Sequence, residues 1–219
     1  MNFLPHRPAA PGRPKDPEKR AAILEAAMRL FPERGYDGVS MDVIAQAAGV
    51  SKLTVYSHFE DKESLFAAAV TTCCEDLLPH GVFEPVTGQA VREALTTIGR
   101  SFTDLIMDER AIKLHQIMVA QAGQKPRLTD IFYAAGPKRT LDEMESFLRQ
   151  AQATGALEVA NPAHAAAHFF CLLKGIRHMS VLVGKSPLPT AAERQEHIAE
   201  VVDIFLKAFA PTARSGGAR

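Results

Sequence analysis

Tryptophan is absent from the 219 residues, and cysteine is limited to three, of which Cys73 and Cys74 are adjacent. Neighbouring cysteines are poorly placed to bridge each other, so no disulfide framework can be drawn and reduced thiols are expected. Net charge is missing as well, because 25 Lys and Arg residues balance 25 Asp and Glu residues. That excludes a nucleic-acid binder working by bulk positive charge, and an acidic solvating chain, but it leaves room for a locally basic site. The longest uncharged stretch, residues 159–173, contains Asn161, Pro162, His164 and His168 and is too short and polar to span a bilayer. No segment alternates apolar and polar residues between hairpin turns. The opening residues MNFLPHRPAAPGRPK carry prolines where a secretory signal needs an apolar core, so a cytoplasmic protein without a membrane partner is expected.

What is present is the balance of a core-forming globule, with 47% apolar and 23% charged residues. Prolines at positions 5, 8, 11, 14 and 17 make residues 1–15 an extended, basic arm that is expected to be disordered. The tail 211–219 is expected to fray in the same way. Nearly everything between has helical periodicity. Asp16 with Pro17, Asp61, Asp108, Pro126, Asn161 with Pro162, and Thr190 with Glu193 each mark a helix start. Pro137 inside the helix that starts at Pro126 predicts a kink near Gly136, and Pro32 predicts a local kink in the first helix. The fold class is all-α, with about nine helices.

Residues 40–59, SMDVIAQAAGVSKLTVYSHF, carry the most information. Ser40 caps a helix to about Ala48, Gly49 suits a left-handed turn, and Ser51 caps a second helix from Lys52 to Phe59. Helices joined by so short a turn cross steeply and need a small residue at the crossing, which Ala45 supplies, with Ile44 and Val55 filling the space between them. These offsets are those of a helix-turn-helix. Val55 and Phe59 then point inward. Lys52, Tyr56 and parts of Leu53 and Ser57 face out as a basic, polar and aromatic surface suited to a major groove. Thr54, His58 and Lys62 stand at its edges, within reach of phosphates.

Residues 18–66 resemble the N-terminal domain of TetR-type transcriptional regulators (the TetR/AcrR family). The matching pieces are Phe31 with Gly35-Tyr36, Val39-Ser40-Met41, Ile44-Ala45, Ala48-Gly49-Val50-Ser51, Thr54-Val55-Tyr56, His58-Phe59 and Lys62-Glu63. Leu53 departs from the glycine, arginine or proline more usual there, which points to an apolar contact such as a thymine methyl. The resemblance implies a homodimeric repressor on a palindromic double-stranded operator, with an extended arm at 1–15, a DNA-binding domain at 16–62, a helical effector-binding and dimerisation domain at 63–210 and a tail beyond. It assigns Lys52, Leu53, Tyr56 and Ser57 to bases, and Ser40, Met41, Thr54, His58 and Lys62 to phosphates. From about Leu95 onward the chain resembles, less specifically, one C-terminal subgroup of these regulators, through Phe132-Tyr133-Ala134-Ala135-Gly136-Pro137, Thr154-Gly155-Ala156-Leu157 and Phe169 with Leu172-Leu173-Lys174-Gly175.

In the second half, the helix from Asn161 is apolar on more than one face, with Ala165, Phe169, Leu172, Ile176, Met179 and Val183 on its main stripe. Together with the last helix it is expected to build half of a four-helix dimer interface. A small hydrophobic effector would lie among the helices beginning near Gln89, Asp108 and Pro126, roofed by the Asn161 helix. The candidates to line it are Phe102, Ile106, His115, Met118, Phe132, Tyr133, Phe147 and Phe169. His164 and His168 have a metal-ligand spacing but no third ligand on their helix, and acids follow Cys73-Cys74, so neither a metal nor a cofactor is expected. A thiol- or metal-responsive regulator of the same fold is the nearer alternative. An all-helical enzyme or an interaction module without DNA binding is the further one, although no nucleophile elbow, phosphate loop or zinc-protease motif is found.

Overall fold

The structure, a computed structural model, describes residues 16–84 and 90–211. The expected arm at 1–15 and all but Pro211 of the expected tail lie outside the described residues. Among those described, every regular element is helical. The α-helical segments are α1 (Pro17–Arg34), α2 (Met41–Ala47), α3 (Lys52–His58), α4 (Lys62–Leu77), α5 (Ala90–Ile106), α6 (Glu109–Gln121), α7 (Pro126–Tyr133), α8 (Arg139–Ala153), α9 (Pro162–Leu182) and α10 (Ala191–Phe209). A short 3-10 turn at His80–Phe83 follows α4, and a π-helical segment at Ala134–Lys138 joins α7 to α8. Counting α7, the π segment and α8 as one interrupted helix gives the nine that the sequence suggests.

The helix starts follow side-chain chemistry. Asp16 accepts from the Glu18 and Lys19 amides, Ser40 from Val43, Ser51 from Thr54, Asp108 from Arg110 and Ala111, and Asn161 from His164. Asp61 with Ser64 and Thr190 with Glu193 form reciprocal capping boxes. Each cap satisfies amides that the first turn leaves without partners. α1 runs through Pro32 to Arg34 and stops at Gly35. The kink expected near Gly136 takes the form of the π segment. Pro137 within it has no N–H to give the helix, and the ladder widens around it.

Two apolar cores organise the chain. One gathers Ile23, Leu30 and Phe31 of α1, Ile44, Val55, and Leu65 and Phe66 of α4, and draws in Met118 from α6 and Leu128 from α7. The other is built from Leu95, Ile98 and Phe102 of α5, Met144, Phe147 and Leu148 of α8, Phe169 and Leu173 of α9, and Val202 and Phe205 of α10. α6 thus lies on α1 and α7 on α4, and α6 also reaches α5 and α9 on its other side.

α9 is divided at Gly175, where φ is 51° and ψ is −169°. This conformation is open to glycine and strained for other residues. The break leaves the Leu172 and Leu173 carbonyls to be met from outside the helix, and the His197 Nε2 of α10 stands 3.1 Å from each. The stripe read from periodicity therefore splits. Ala165 and Phe169 are in the core, whereas Leu172, Ile176, Met179 and Val183 are exposed, Ile176 to 81%.

Candidate nucleic-acid interface and effector cavity

The surface expected to read DNA is built on a short helix held from one side. Val55 of α3 is fully buried and Phe59 closes its end, packing onto Ile44 and Ala45 of α2. Gly49 turns the chain at φ 67°, and the Val50 amide donates to the Ala45 carbonyl, fixing the angle between the two helices. Everything else on α3 is left toward solvent or its edge. Leu53 is 80% and Tyr56 45% exposed, a cost no interior contact offsets. The Ser57 hydroxyl donates to the Thr54 carbonyl, and the Thr54 and Ser51 hydroxyls lie 2.9 Å apart. Lys52 donates to Asp42 of α2 at 2.9 Å, and this carboxylate raises its pKa.

The residues expected at phosphates separate into two groups. Ser40, Thr54 and His58 stand at the surface or its edge. Met41 and Lys62 do not fit the role expected of their side chains. The Met41 side chain is buried in the first core, where an apolar group gains more than it would beside a phosphate. Lys62 reaches back to donate to the Tyr36 and Val39 carbonyls at 3.0 and 3.1 Å and lies 4.0 Å from the centre of the Tyr36 ring. Its ammonium secures the turn after α1 instead of facing outward, and burial lowers its pKa.

A cavity of about 230 Å³ lies between α4, α5, α6, the π segment and α9. Of the expected lining residues it brings together Phe102, Ile106, His115 and Phe132. The other four lie elsewhere. Met118 is packed in the first core, Phe147 and Phe169 are fully buried in the second, and Tyr133 is exposed. Large apolar periodic residues are the ones a core fills first, so the pattern that points to Met118, Phe147 and Phe169 also takes them out of the cavity. Two helices supply about half of the lining residues outside the expected set. α4 supplies Val70, Cys73 and Cys74, and α9 supplies Phe170, Cys171, Lys174 and His178. Their signal was a second stripe on α9, three and four residues apart and mixed in polarity, which an apolar periodicity overlooks.

The polar groups of the cavity are concentrated on α6 and α9. The rings of His115 and His178 have centroids 5.8 Å apart, and burial holds both imidazoles below their ordinary pKa. For His178, burial is reinforced by His115 and by the positive charge of Lys174, which bring the pKa to about 4. Burial also pushes up both thiols, Cys74 to about 12, so each stays protonated. Cys74 and Val70 also touch the π segment, since a Cβ on Gly136 would lie 3.4 Å from the Cys74 Sγ and 3.3 Å from Val70 Cγ1. Thr71 donates to the Ala135 carbonyl there, and Glu75 pairs with Arg139 at 2.6 Å. One wall of the cavity is therefore α4, the helix that follows α3. His164 and His168 are exposed and away from it.

Comparison with known proteins bears on both regions. Residues 23–69 match the family described as bacterial regulatory proteins, tetR family. Residues 93–211, just over half of the chain, match the AefR-like transcriptional repressor, C-terminal domain. A TetR-family regulator of Mesorhizobium loti is 30% identical, with 90% of this chain and 98% of that one covered, at a TM-score of 0.74. The flavonoid-responsive regulator FrrA is 32% identical over 90% of this chain and 100% of its own, at a TM-score of 0.68. The HTH-type regulator YdeS of Bacillus subtilis is 38% identical over 85 residues, which is 39% of this chain and 41% of that relative.

Proposed function

Because the chain belongs to the TetR family of DNA-binding transcriptional regulators, we propose that it acts as a homodimeric repressor released from a palindromic operator by a small apolar effector. Residues 16–62 form the DNA-binding unit in this reading and 63–210 the effector and dimer unit. The observation that carries it is α3, a helix anchored inward by Val55 while Leu53, Tyr56, Lys52 and Ser57 are presented together to solvent. Leu53 and Tyr56 contact base edges, and Ser40, Thr54 and His58 contact the backbone. Dimerisation is supported by the exposed apolar residues Leu172, Ile176 and Met179 of α9 and Val183 at its end, and Ile204 of α10 is exposed as well. A single copy cannot hold two reading helices one DNA turn apart.

Release follows from the cavity wall. An occupant that fits best when α4 and the π segment are displaced favours a state in which α3 sits differently, and DNA affinity falls by the ratio of the two effector affinities. Membership of a regulator family also separates the chain from the helical enzymes considered above. The test is selection of bound sequences from a random DNA pool, using protein refolded free of ligand. A palindrome with half-sites about one turn apart is expected. Folded, dimeric protein that enriches no motif would overturn the reading.

A further inference from the structure

We propose that the cavity receives a small aromatic carboxylic acid, its ring among the apolar side chains and its carboxylate held by Lys174 and His178. The inference rests on the effector-cavity reading above and specifies its ligand. Three observations lead to it.

The first is the charge balance of the lining, which contains an ammonium, two imidazoles and no Asp or Glu. The second is the state of Lys174. Lys52, Lys125 and Lys138 each pair with a carboxylate and Lys62 caps carbonyls, but among the described residues no carboxylate or hydrogen-bond acceptor serves Lys174. Its charge is felt instead by the two imidazoles beside it. A cation at an apolar cavity without a counter-ion is an unmet electrostatic demand, and an entering anion satisfies it.

The third is His178, only 5% exposed, whose ring is hydrogen-bonded to the Ile106 backbone. A neutral imidazole that gives its N–H to a carbonyl keeps one bare nitrogen, which accepts a proton once an anion replaces the repulsion of Lys174. Two oxygens on one planar group match these two partners, and a phosphate dianion would want more donors than the corner provides. Phe102, Phe132, Phe170, Leu105 and Ile106 set the body as apolar, with ring-stacking surface available. The volume, below the roughly 300–1,000 Å³ of drug-sized pockets, restricts it to a ring with a short substituent.

The test titrates full-length, ligand-free protein calorimetrically with 4-isopropylbenzoate, 4-isopropylbenzamide and cumene, which share one apolar body. The acid is expected to bind on the order of 10- to 100-fold more tightly than the amide. Lys174→Met should erase that preference while leaving cumene binding unchanged, and Lys174→Arg should keep the preference. In the acid complex, the imidazole resonances of His178 should move toward the protonated form. Equal affinity for acid and amide overturns the proposal, as does a Lys174→Met protein that loses cumene and acid alike. Binding of cumene without the acid overturns the carboxylate alone. Failure of all three ligands overturns the effector-cavity reading beneath it.

Discussion

At the scale of single residues, the position of a charge matters less than what already occupies it. Lys52 stands on the surface proposed to meet DNA but shares its charge with Asp42. Asp42→Asn removes a negative charge from that surface and is expected to raise affinity for DNA of any sequence a few-fold at low salt, a gain that shrinks as salt rises, measured by fluorescence anisotropy at several salt concentrations. Leu53 is the opposite case, an uncharged side chain whose exposure has no structural purpose. Leu53→Ala should cost about 1–3 kcal/mol on the preferred operator and relax selection at a single base-pair position, read from the same DNA-pool experiment. His178 gives an acid-stability signature. Its pKa is lowered from 6.5 to about 4 in the folded chain, so protonation favours the unfolded state. Its contribution is full above pH 6.5 and is lost as pH falls toward 4, at most about 3 kcal/mol. Thermal melts of the wild type should therefore fall more steeply across that window than those of His178→Gln.

At the scale of elements, the caps were legible because they are local chemistry. Asp16, Ser40, Ser51, Asp61, Asn161 and Thr190 each bond amides within three residues, so sequence spacing contains the whole interaction. The break at Pro137 was legible because a missing N–H is a property of one residue. The break at Gly175 was not, since glycine within an apolar helix costs only about 1 kcal/mol and announces nothing about its φ. What holds it open is His197, more than twenty residues away on another helix. Gly175→Ala should destabilise the protein by about 1–3 kcal/mol in urea unfolding, through backbone strain alone. The added Cβ would meet the His197 ring at an ordinary 3.6 Å. The cavity was half legible. Periodicity separates buried from exposed faces, but it does not say which of two cores or an empty space a face will meet, and so Phe147 and Phe169 were nominated while Phe170 and Lys174 were passed over.

At the scale of the molecule, α6 packs on α1 and also meets α5 and α9, ion pairs of Lys125 with Asp37 and Arg127 with Glu63 hold the start of α7 to the first core, and Arg139 with Glu75 links α8 of the second core to α4. Such exposed pairs add little each, about 0–1 kcal/mol, and are screened by salt, so the rigidity of the junction rests mainly on Met118 and Leu128 in the first core. The apolar face of α9 gives a direct expectation for assembly. Ile176→Glu with Met179→Glu should leave the fold intact, because both side chains are exposed. The same change should convert the sedimentation profile to monomer and abolish operator binding.

The interruption at Gly175 also matters to anyone rebuilding this protein as a biosensor. Upstream of it, Ala167, Phe170, Cys171 and Lys174 border the cavity; downstream, Ile176, Met179 and Val183 make most of the exposed face, with Leu172 of that face upstream of the glycine and His178 of the cavity downstream of it. Libraries confined to the upstream positions would retune which compound is detected, while changes confined to the downstream face would keep two co-expressed versions from exchanging subunits. Orthogonal sensor pairs could then be assembled from one scaffold by recombining two short cassettes on either side of a single glycine.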